Sequence, residues 1–175
     1  MIINVSCTID SNQEPNAKKI DWTNPITVYD KVDGSLATLY WYGNEWNVSS
    51  SSLADASGPL PCKMTFAELF WDIWNKLGYN LPTDKTMCYM FEMLSPRNTI
   101  IVRPDREAMI LHGVRKLIKP YPELEPEPIA KKQGWECIKT FSYKNDEELL
   151  TAAKQLNPMQ AGQKQVSPKS IYFKN

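Results

Sequence analysis

The amino-acid sequence predicts an α+β fold built on a largely antiparallel sheet. Strand-like runs come in groups joined by short turns, and helix-like runs follow these groups rather than alternating with single strands. The chain has 175 residues, of which 42% are hydrophobic, so it can form a core of ordinary size under such a sheet.

The first three strands are predicted from β-branched and aromatic residues. Residues 26–32 form the first run, and Ser35–Tyr42 and Glu45–Ser49 follow it. The dipeptide Gly43-Asn44 between the last two suits the positive φ angles of a two-residue hairpin turn. We therefore expect these two strands to pair.

A helix is expected to begin at Thr65 and to end at Gly78. Glu68 stands three residues after Thr65, which is the spacing of a capping box. Apolar residues then recur at helical spacing, at Phe66, Leu69, Phe70, Ile73, Trp74 and Leu77. Both Trp71 and Trp74 are interpreted as packing residues and not as base-stacking residues.

The second half of the chain is predicted to continue the sheet and to end in helices. The expected strands are residues 87–94, 99–102 and 108–114, with a turn at 95–98. The proline- and acid-rich segment 122–128 predicts a linker. Two short helices are expected at residues 129–134 and 146–156, the second capped by Asn145 or Asp146.

Composition narrows the classes of function. The formal net charge is zero, which weakens a nucleic-acid-binding interpretation but leaves room for a local basic strip. The four cysteines form no CxxC pair and His112 has no neighbouring ligand, so we expect no metal site made by the protein. Neither a signal peptide nor a membrane-spanning run is recognised, so a cytoplasmic or nuclear, non-secreted protein is expected. No protein partner can be inferred.

The run Lys31-Val32-Asp33-Gly34-Ser35-Leu36 carries the strongest chemical signal. A lysine at a strand end can face a cleft, and its amine can act as a nucleophile once it has lost its proton. Asp33 could orient the ammonium group, and Gly34 would let the backbone turn sharply beside a ligand. The alternative is a charged surface turn, because K-x-D-G also arises by chance.

This run resembles the K-x-D-G motif of ATP-dependent ligases and capping enzymes, and the following Ser-Leu is similar to phage-type RNA ligase 1. Residues 89–102, YMFEMLSPRNTIIV, are similar to the F-E-x-x-x-P-x-N-R-I-V block of that family. The hairpin at 39–46 and the helix start at 65–70 also resemble family segments. The resemblance covers about residues 20–160.

The resemblance implies an antiparallel-sheet nucleotidyltransferase fold, the ATP-grasp-like adenylation domain of ligases, at residues 26–160. Residues 1–25 would be an N-terminal polar segment and 161–175 a divergent C-terminal tail. It further implies an enzyme that uses ATP and Mg²⁺, forms a lysyl-AMP intermediate on Lys31, and joins the 5′-phosphate and 3′-hydroxyl ends of RNA.

The resemblance also assigns the remaining site residues. Glu92 matches the glutamate that helps to hold the ribose, and its alternative is an exposed strand carboxylate. Asn98 matches the asparagine of the block, and its alternative is a turn residue. Arg97 is a candidate to replace the arginine of the block, whose position Thr99 occupies. Asp33 and Gly34 complete the nucleotide-binding set.

Downstream the sequence departs from the family. The family continues with E-G-x-V-V and then K-x-K, whose lysines stabilise charge on the α-phosphate. Here Lys164 is only a faint counterpart, and we expect an incomplete domain. The alternatives are a non-catalytic remnant that binds nucleotide or RNA, and, among enzymes, a DNA ligase or a capping-type nucleotidyltransferase.

Overall fold

A computed structural model describes Thr23 and residues 27–101, 103–145, 147–149, 151–152 and 170–174. The chain divides into two compact units. Unit 1 consists of residues 1–32 and 139–175, and unit 2 of residues 33–138.

Within the described residues the strands of unit 2 are β2 (Ser35–Tyr42), β3 (Glu45–Ser49), β4 (Met87–Leu94), β5 (Ala108–Lys116), β6 (Glu123–Leu124) and β7 (Glu136–Cys137). The strands of unit 1 are β1 (Thr27–Lys31), β8 (Thr140–Phe141) and β9 (Ser170–Lys174). Helices α1 (Phe66–Lys76) and α2 (Pro126–Gln133) belong to unit 2. Residues 147–149 and 151–152 are also helical.

The sheet of unit 2 has the strand order β3-β2-β4-β5-β6, and β7 pairs with β5. Every pairing in it is antiparallel except that of β5 with β7, which is parallel. The α+β class with mostly antiparallel strands is therefore confirmed. The finer assignment to a nucleotidyltransferase domain stays a prediction.

The core of unit 2 lies between α1 and one face of this sheet. The alternation along β4 places Tyr89, Phe91 and Met93 on that face, and each is 2% exposed or less. The Trp74 ring on α1 lies 5.5 Å from that of Phe91. Trp135, next to β7, lies 5.3 Å from Phe91 as well. The interpretation of Trp74 as a core residue is confirmed.

Two local predictions are confirmed in detail. The β2–β3 turn has φ angles of 59° at Gly43 and 66° at Asn44, as a two-residue hairpin requires. At the start of α1, the Thr65 side chain accepts a hydrogen bond from the Glu68 backbone (3.1 Å), and the Glu68 carboxylate accepts one from the Thr65 backbone (2.6 Å). The capping box is therefore complete.

Unit 1 contains a three-stranded sheet in the order β8-β1-β9. Lys31 is the last residue of β1, and its backbone is paired in register with Ser170. No strand was expected in the tail, so the strand at Ser170–Lys174 corrects the sequence prediction. The cap of the following helical segment is confirmed, because the Asn145 side chain accepts a hydrogen bond from the Glu148 backbone at 2.9 Å.

Two further element predictions are wrong. Residues 99–101 belong to no strand, and Ile100 and Ile101 are exposed, while Val102 lies outside the described residues. The expected linker at 122–128 instead contains β6 and the first turn of α2. Pro126 occupies the first helical position, where its missing N–H removes no hydrogen bond, so the proline marks a helix start and not a break. The described helices include none long and apolar enough to cross a membrane.

Candidate functional site

The loop before β2 is bonded to the end of β4. The Gly34 backbone N–H donates a hydrogen bond to Glu92 Oε1 at 2.9 Å, although the two residues are 58 positions apart in the chain. In the β2–β4 register Ser35 stands opposite Met93 and Leu36 opposite Glu92. Gly34 and Ser35, at the end of the K-x-D-G-S-L run, therefore contact the F-E block at this edge of unit 2.

Gly34 is required by this close approach. A Cβ atom at this position would lie 2.7 Å from the backbone oxygen of Met93, 2.9 Å from Leu94 Cδ2 and 3.0 Å from Glu92 Cγ. The glycines that do have positive φ among the described residues are Gly43, Gly78 and Gly134. The expected reason for this glycine, a sharp turn, is therefore corrected: the position must be glycine because any side chain would collide with β4.

Glu92 lies on the face of the sheet opposite to Phe91. Its carboxylate is 19% exposed, and its second oxygen, Oε2, lies 4.0 Å from Nε2 of His112 on β5. His112 reaches this place because β5 is irregular there: Phe91 pairs with Leu111 but Met90 pairs with Gly113, which leaves His112 as an inserted residue. Such a β-bulge redirects a side chain and is frequent near functional sites.

The turn after β4 supplies a second link to β2. The Asn98 side-chain amide donates to Ser35 Oγ at 3.0 Å, and the Asn98 backbone N–H donates to the Ser95 carbonyl at 3.0 Å. Asn98 is therefore a turn residue, as its alternative interpretation predicts. It also joins the P-R-N block to the residue that follows Gly34.

Arg97 points away from this link and into an ion-pair cluster. Its guanidinium donates to Glu107 Oε1 at 2.7 Å and to Asp72 Oδ2 at 2.5 Å. Lys76 contacts the same two carboxylates, at 2.9 Å (Asp72) and 3.5 Å (Glu107). Hydrogen bonds from Lys76 and then Arg97 lower the pKa of Asp72. Arg97 therefore stabilises the turn after β4, because its side chain links that turn to Glu107 and to Asp72 on α1.

The turn itself is tied to the same cluster through a buried serine. Ser95 is 1% exposed, its hydroxyl donates to Glu107 at 3.1 Å, and it accepts from the Arg97 backbone at 3.1 Å. A buried hydroxyl with both roles satisfied holds its segment in one conformation. The position of Asn98 therefore depends on α1 through Asp72 as well as on its own strand.

An open cleft of about 420 Å³ adjoins Gly34 and Ser35. Serine hydroxyls and apolar groups line it, and none of the lining residues is charged: Gly34, Ser35, Leu36, Ser50, Ser51, Ser52, Leu53, Gly58, Pro59, Leu60, Phe66, Asn98 and Ile100. The lining offers hydroxyl groups and apolar surface, and it has no charged side chain that could pair with a phosphate group. It agrees with the sequence of this loop, which has no lysine or arginine at 47–56.

The other predicted site residues are placed as follows. Lys31 ends β1 in unit 1, and its side chain lies outside what the structure describes. Asp33 is the first residue of unit 2, directly before Gly34, and is partly buried. Lys164 lies outside the described residues. Within the described part of the chain, no three His, Cys, Asp or Glu side chains are grouped to hold a metal ion.

Two residues of this site carry no signal of their own in the sequence. From the sequence alone, His112 is considered only as a zinc ligand. That role is not expected, because no cysteine or second histidine stands at ligand spacing from it. Ser35 stands only as the residue after the glycine, without a stated contact. The bulge that brings His112 to Glu92 depends on the register between β4 and β5, and the sequence around His112 does not predict it.

Comparison with known proteins shows similarity to a protein named RNA ligase. A scan against models of known protein families found no match. The chain is 31% identical over an alignment of 106 residues to a protein named RNA ligase from Rhodothermus phage RM378. The alignment covers 53% of this chain and 24% of the phage protein, so the chain spans about a quarter of the length of that relative.

Proposed function

We propose that this chain is the nucleotide-binding part of an ATP-dependent RNA ligase and that Lys31 accepts AMP. The observation that carries the proposal is the hydrogen bond from Gly34 to Glu92, because it joins the two sequence blocks that the resemblance assigns to one nucleotide site. The similarity to a phage protein named RNA ligase supports the same conclusion.

The first step would be transfer of AMP to lysine. The neutral amine of Lys31 attacks the α-phosphorus of ATP, a P–N bond forms, and the bond to pyrophosphate breaks. The amine loses its proton, and pyrophosphate leaves with the electron pair of the broken P–O bond. A covalent intermediate of this kind divides a difficult joining reaction into easier steps.

Residues of unit 2 would hold the nucleoside. Glu92 would accept a hydrogen bond from a ribose hydroxyl, and its bond to Gly34 fixes the carboxylate beforehand. Mg²⁺ would be bound mainly by the triphosphate of ATP. Among the described residues no three His, Cys, Asp or Glu side chains are grouped to hold the ion. The uncharged cleft leaves neutralisation of the β- and γ-phosphates to that ion and to residues outside the cleft.

The later steps would join the RNA ends. AMP passes from Lys31 to the 5′-phosphate of an RNA end, and a 3′-hydroxyl then displaces AMP and closes the strand. RNA ends are accordingly the proposed partners.

Covalent labelling tests the proposal. The purified chain is incubated with ATP labelled at the α-phosphate and Mg²⁺, and is then separated under denaturing conditions. We expect a labelled band that acid removes. Lys31→Ala should abolish it, and so should Lys31→Arg, because arginine keeps the charge but cannot act as the nucleophile at neutral pH.

The matched control is Lys131→Ala, which removes an exposed lysine from the last turn of α2 and should leave the label unchanged. A label that persists in Lys31→Ala would contradict the assignment of Lys31. If the native chain takes no label but still binds ATP, the chain is a non-catalytic nucleotide-binding protein, and the catalytic part of the proposal fails.

A further inference from the structure

His112 is placed beside Glu92 by a defect in the sheet. Between the pairs Phe91–Leu111 and Met90–Gly113 the register of β4 and β5 shifts by one residue, and His112 is the residue inserted. A regular strand would alternate strictly, so the extra residue changes which side chains share the face of Glu92. The imidazole lies on that face and is 30% exposed.

One ring nitrogen of this imidazole, Nε2, has no hydrogen-bond partner in the structure. Nε2 of His112 is buried and lies 4.0 Å from Glu92 Oε2, which is too far for a direct hydrogen bond. Buried polar atoms in proteins nearly always have a partner, so an atom without one requires a reason. A ligand that occupies the gap is such a reason.

The width of the gap between Nε2 and Oε2 fits a bridging hydroxyl group. An oxygen placed about 2.8 Å from both atoms would form an angle of about 90° with them, close to the geometry of a hydroxyl oxygen. A hydroxyl group can donate its hydrogen to the carboxylate and accept one from Nε2–H at the same time. A phosphate oxygen could not, because it has no hydrogen to give to the carboxylate.

The surroundings favour a neutral imidazole and a strong hydrogen bond. Leu36 on β2 and Ile110 on β5 stand opposite Glu92 on its two sides, and Ile110 is buried. Burial lowers the pKa of His112 below its usual value and so favours the neutral ring. Buried Ile110 shields one side of this pair from solvent, which strengthens a hydrogen bond formed there.

We propose that His112 and Glu92 together bind one ribose hydroxyl of the nucleotide, so that His112 gives the site its preference for ribonucleotides. This inference rests on the proposed function, since it assigns a new residue to the same nucleotide site. His112 is the donor to the hydroxyl and Glu92 the acceptor from it. A nucleotide that lacks this hydroxyl leaves His112 Nε2 without a partner.

The test compares ATP with 2′-deoxy-ATP and 3′-deoxy-ATP as sources of the covalent label, by kcat/KM for adduct formation. The native chain should prefer ATP to one of the two analogues. In His112→Phe that preference should fall by about threefold to tenfold, the value of one neutral hydrogen bond. In His112→Gln it should be largely kept, because the amide nitrogen is a donor too.

Met90→Leu is the matched control, since Met90 flanks the same bulge and carries no hydrogen-bonding group toward the nucleotide. It should keep the preference of the native chain. A general loss of folding would lower adduct formation from all three nucleotides equally and would not change their ratio. An unchanged ratio in His112→Phe, with adduct still formed, would overturn the inference and leave the proposed function standing.

Equilibrium binding separates the two proposals if no adduct forms. The affinities of the native chain and of His112→Phe for ATP and its two deoxy analogues are measured by calorimetry. A preference for ATP that is lost in His112→Phe would support the inference although the catalytic proposal has failed. Equal affinities of the native chain for all three nucleotides, or binding of none, would overturn it.

Discussion

Gly34 lies where the chain before β2 comes so close to β4 that only glycine fits. Its backbone N–H is bonded to Glu92, and the space of its missing side chain is taken by the backbone of β4. One residue therefore serves both the packing of β2 and the orientation of the carboxylate. Met93 contributes the closest atom, a backbone oxygen that cannot move without the strand.

We expect Gly34→Ala to lower the free energy of unfolding by roughly 1–3 kcal/mol, as overpacking against a fixed group does. Adduct formation should fall as well, because the bond to Glu92 would be displaced. Gly58→Ala is the control: its new Cβ would meet only the Leu53 side chain, at 3.3 Å, and that side chain can move. Denaturant titration of both variants measures the difference, and equal losses would contradict the packing argument.

Individual residues of the candidate site could be predicted from the sequence only where they belong to a recognisable motif. Gly34, Glu92 and Asn98 were candidates because two blocks resemble one family, and the structure places all three at one edge of unit 2. Arg97 was a candidate for the same reason, but it is held by two carboxylates whose positions depend on α1 and on the loop before β5. No pattern within its own block could reveal these partners.

The elements that were predicted correctly depend on neighbours close in the chain. The hairpin turn requires only Gly43-Asn44, and the start of α1 requires only Thr65 and Glu68. The features that the sequence analysis did not predict depend on distant partners. The strand Ser170–Lys174 exists by pairing with β1, more than a hundred residues earlier in the chain, and the bulge at His112 exists through the register with β4.

A test at the level of single elements concerns the N-terminal cap of α1, which is expected to stabilise that helix. In Thr65→Ala the Glu68 backbone N–H loses its acceptor, and the helix should lose about 1 kcal/mol of stability. Because α1 carries Asp72, the turn with Asn98 should loosen in the same variant. Thermal unfolding compares it with Thr83→Ala, which removes an exposed threonine outside any helix or strand. If the two variants unfold at the same temperature, the cap does not stabilise α1 measurably.

At the scale of the whole molecule, the residues proposed for the chemistry belong to two different units. Lys31, the proposed nucleophile, belongs to unit 1, whereas Glu92, His112 and the cleft belong to unit 2. The boundary falls between Val32 and Asp33, inside the K-x-D-G run itself. Division of one motif between two units is a feature that the sequence prediction of a single domain at 26–160 does not contain.

This division predicts the behaviour of unit 2 alone. The buried aromatic core, from Ala37 to Trp135, lies entirely within residues 33–138, so a fragment of these residues has a core of its own. We expect it to unfold cooperatively and to keep the near-ultraviolet circular dichroism of its packed tryptophans. It should bind ATP with the same preference for ribose as the whole chain, yet take no covalent label, because Lys31 is absent from it. A fragment without a cooperative transition would show that unit 2 needs unit 1 to fold, and a labelled fragment would place the nucleophile in unit 2.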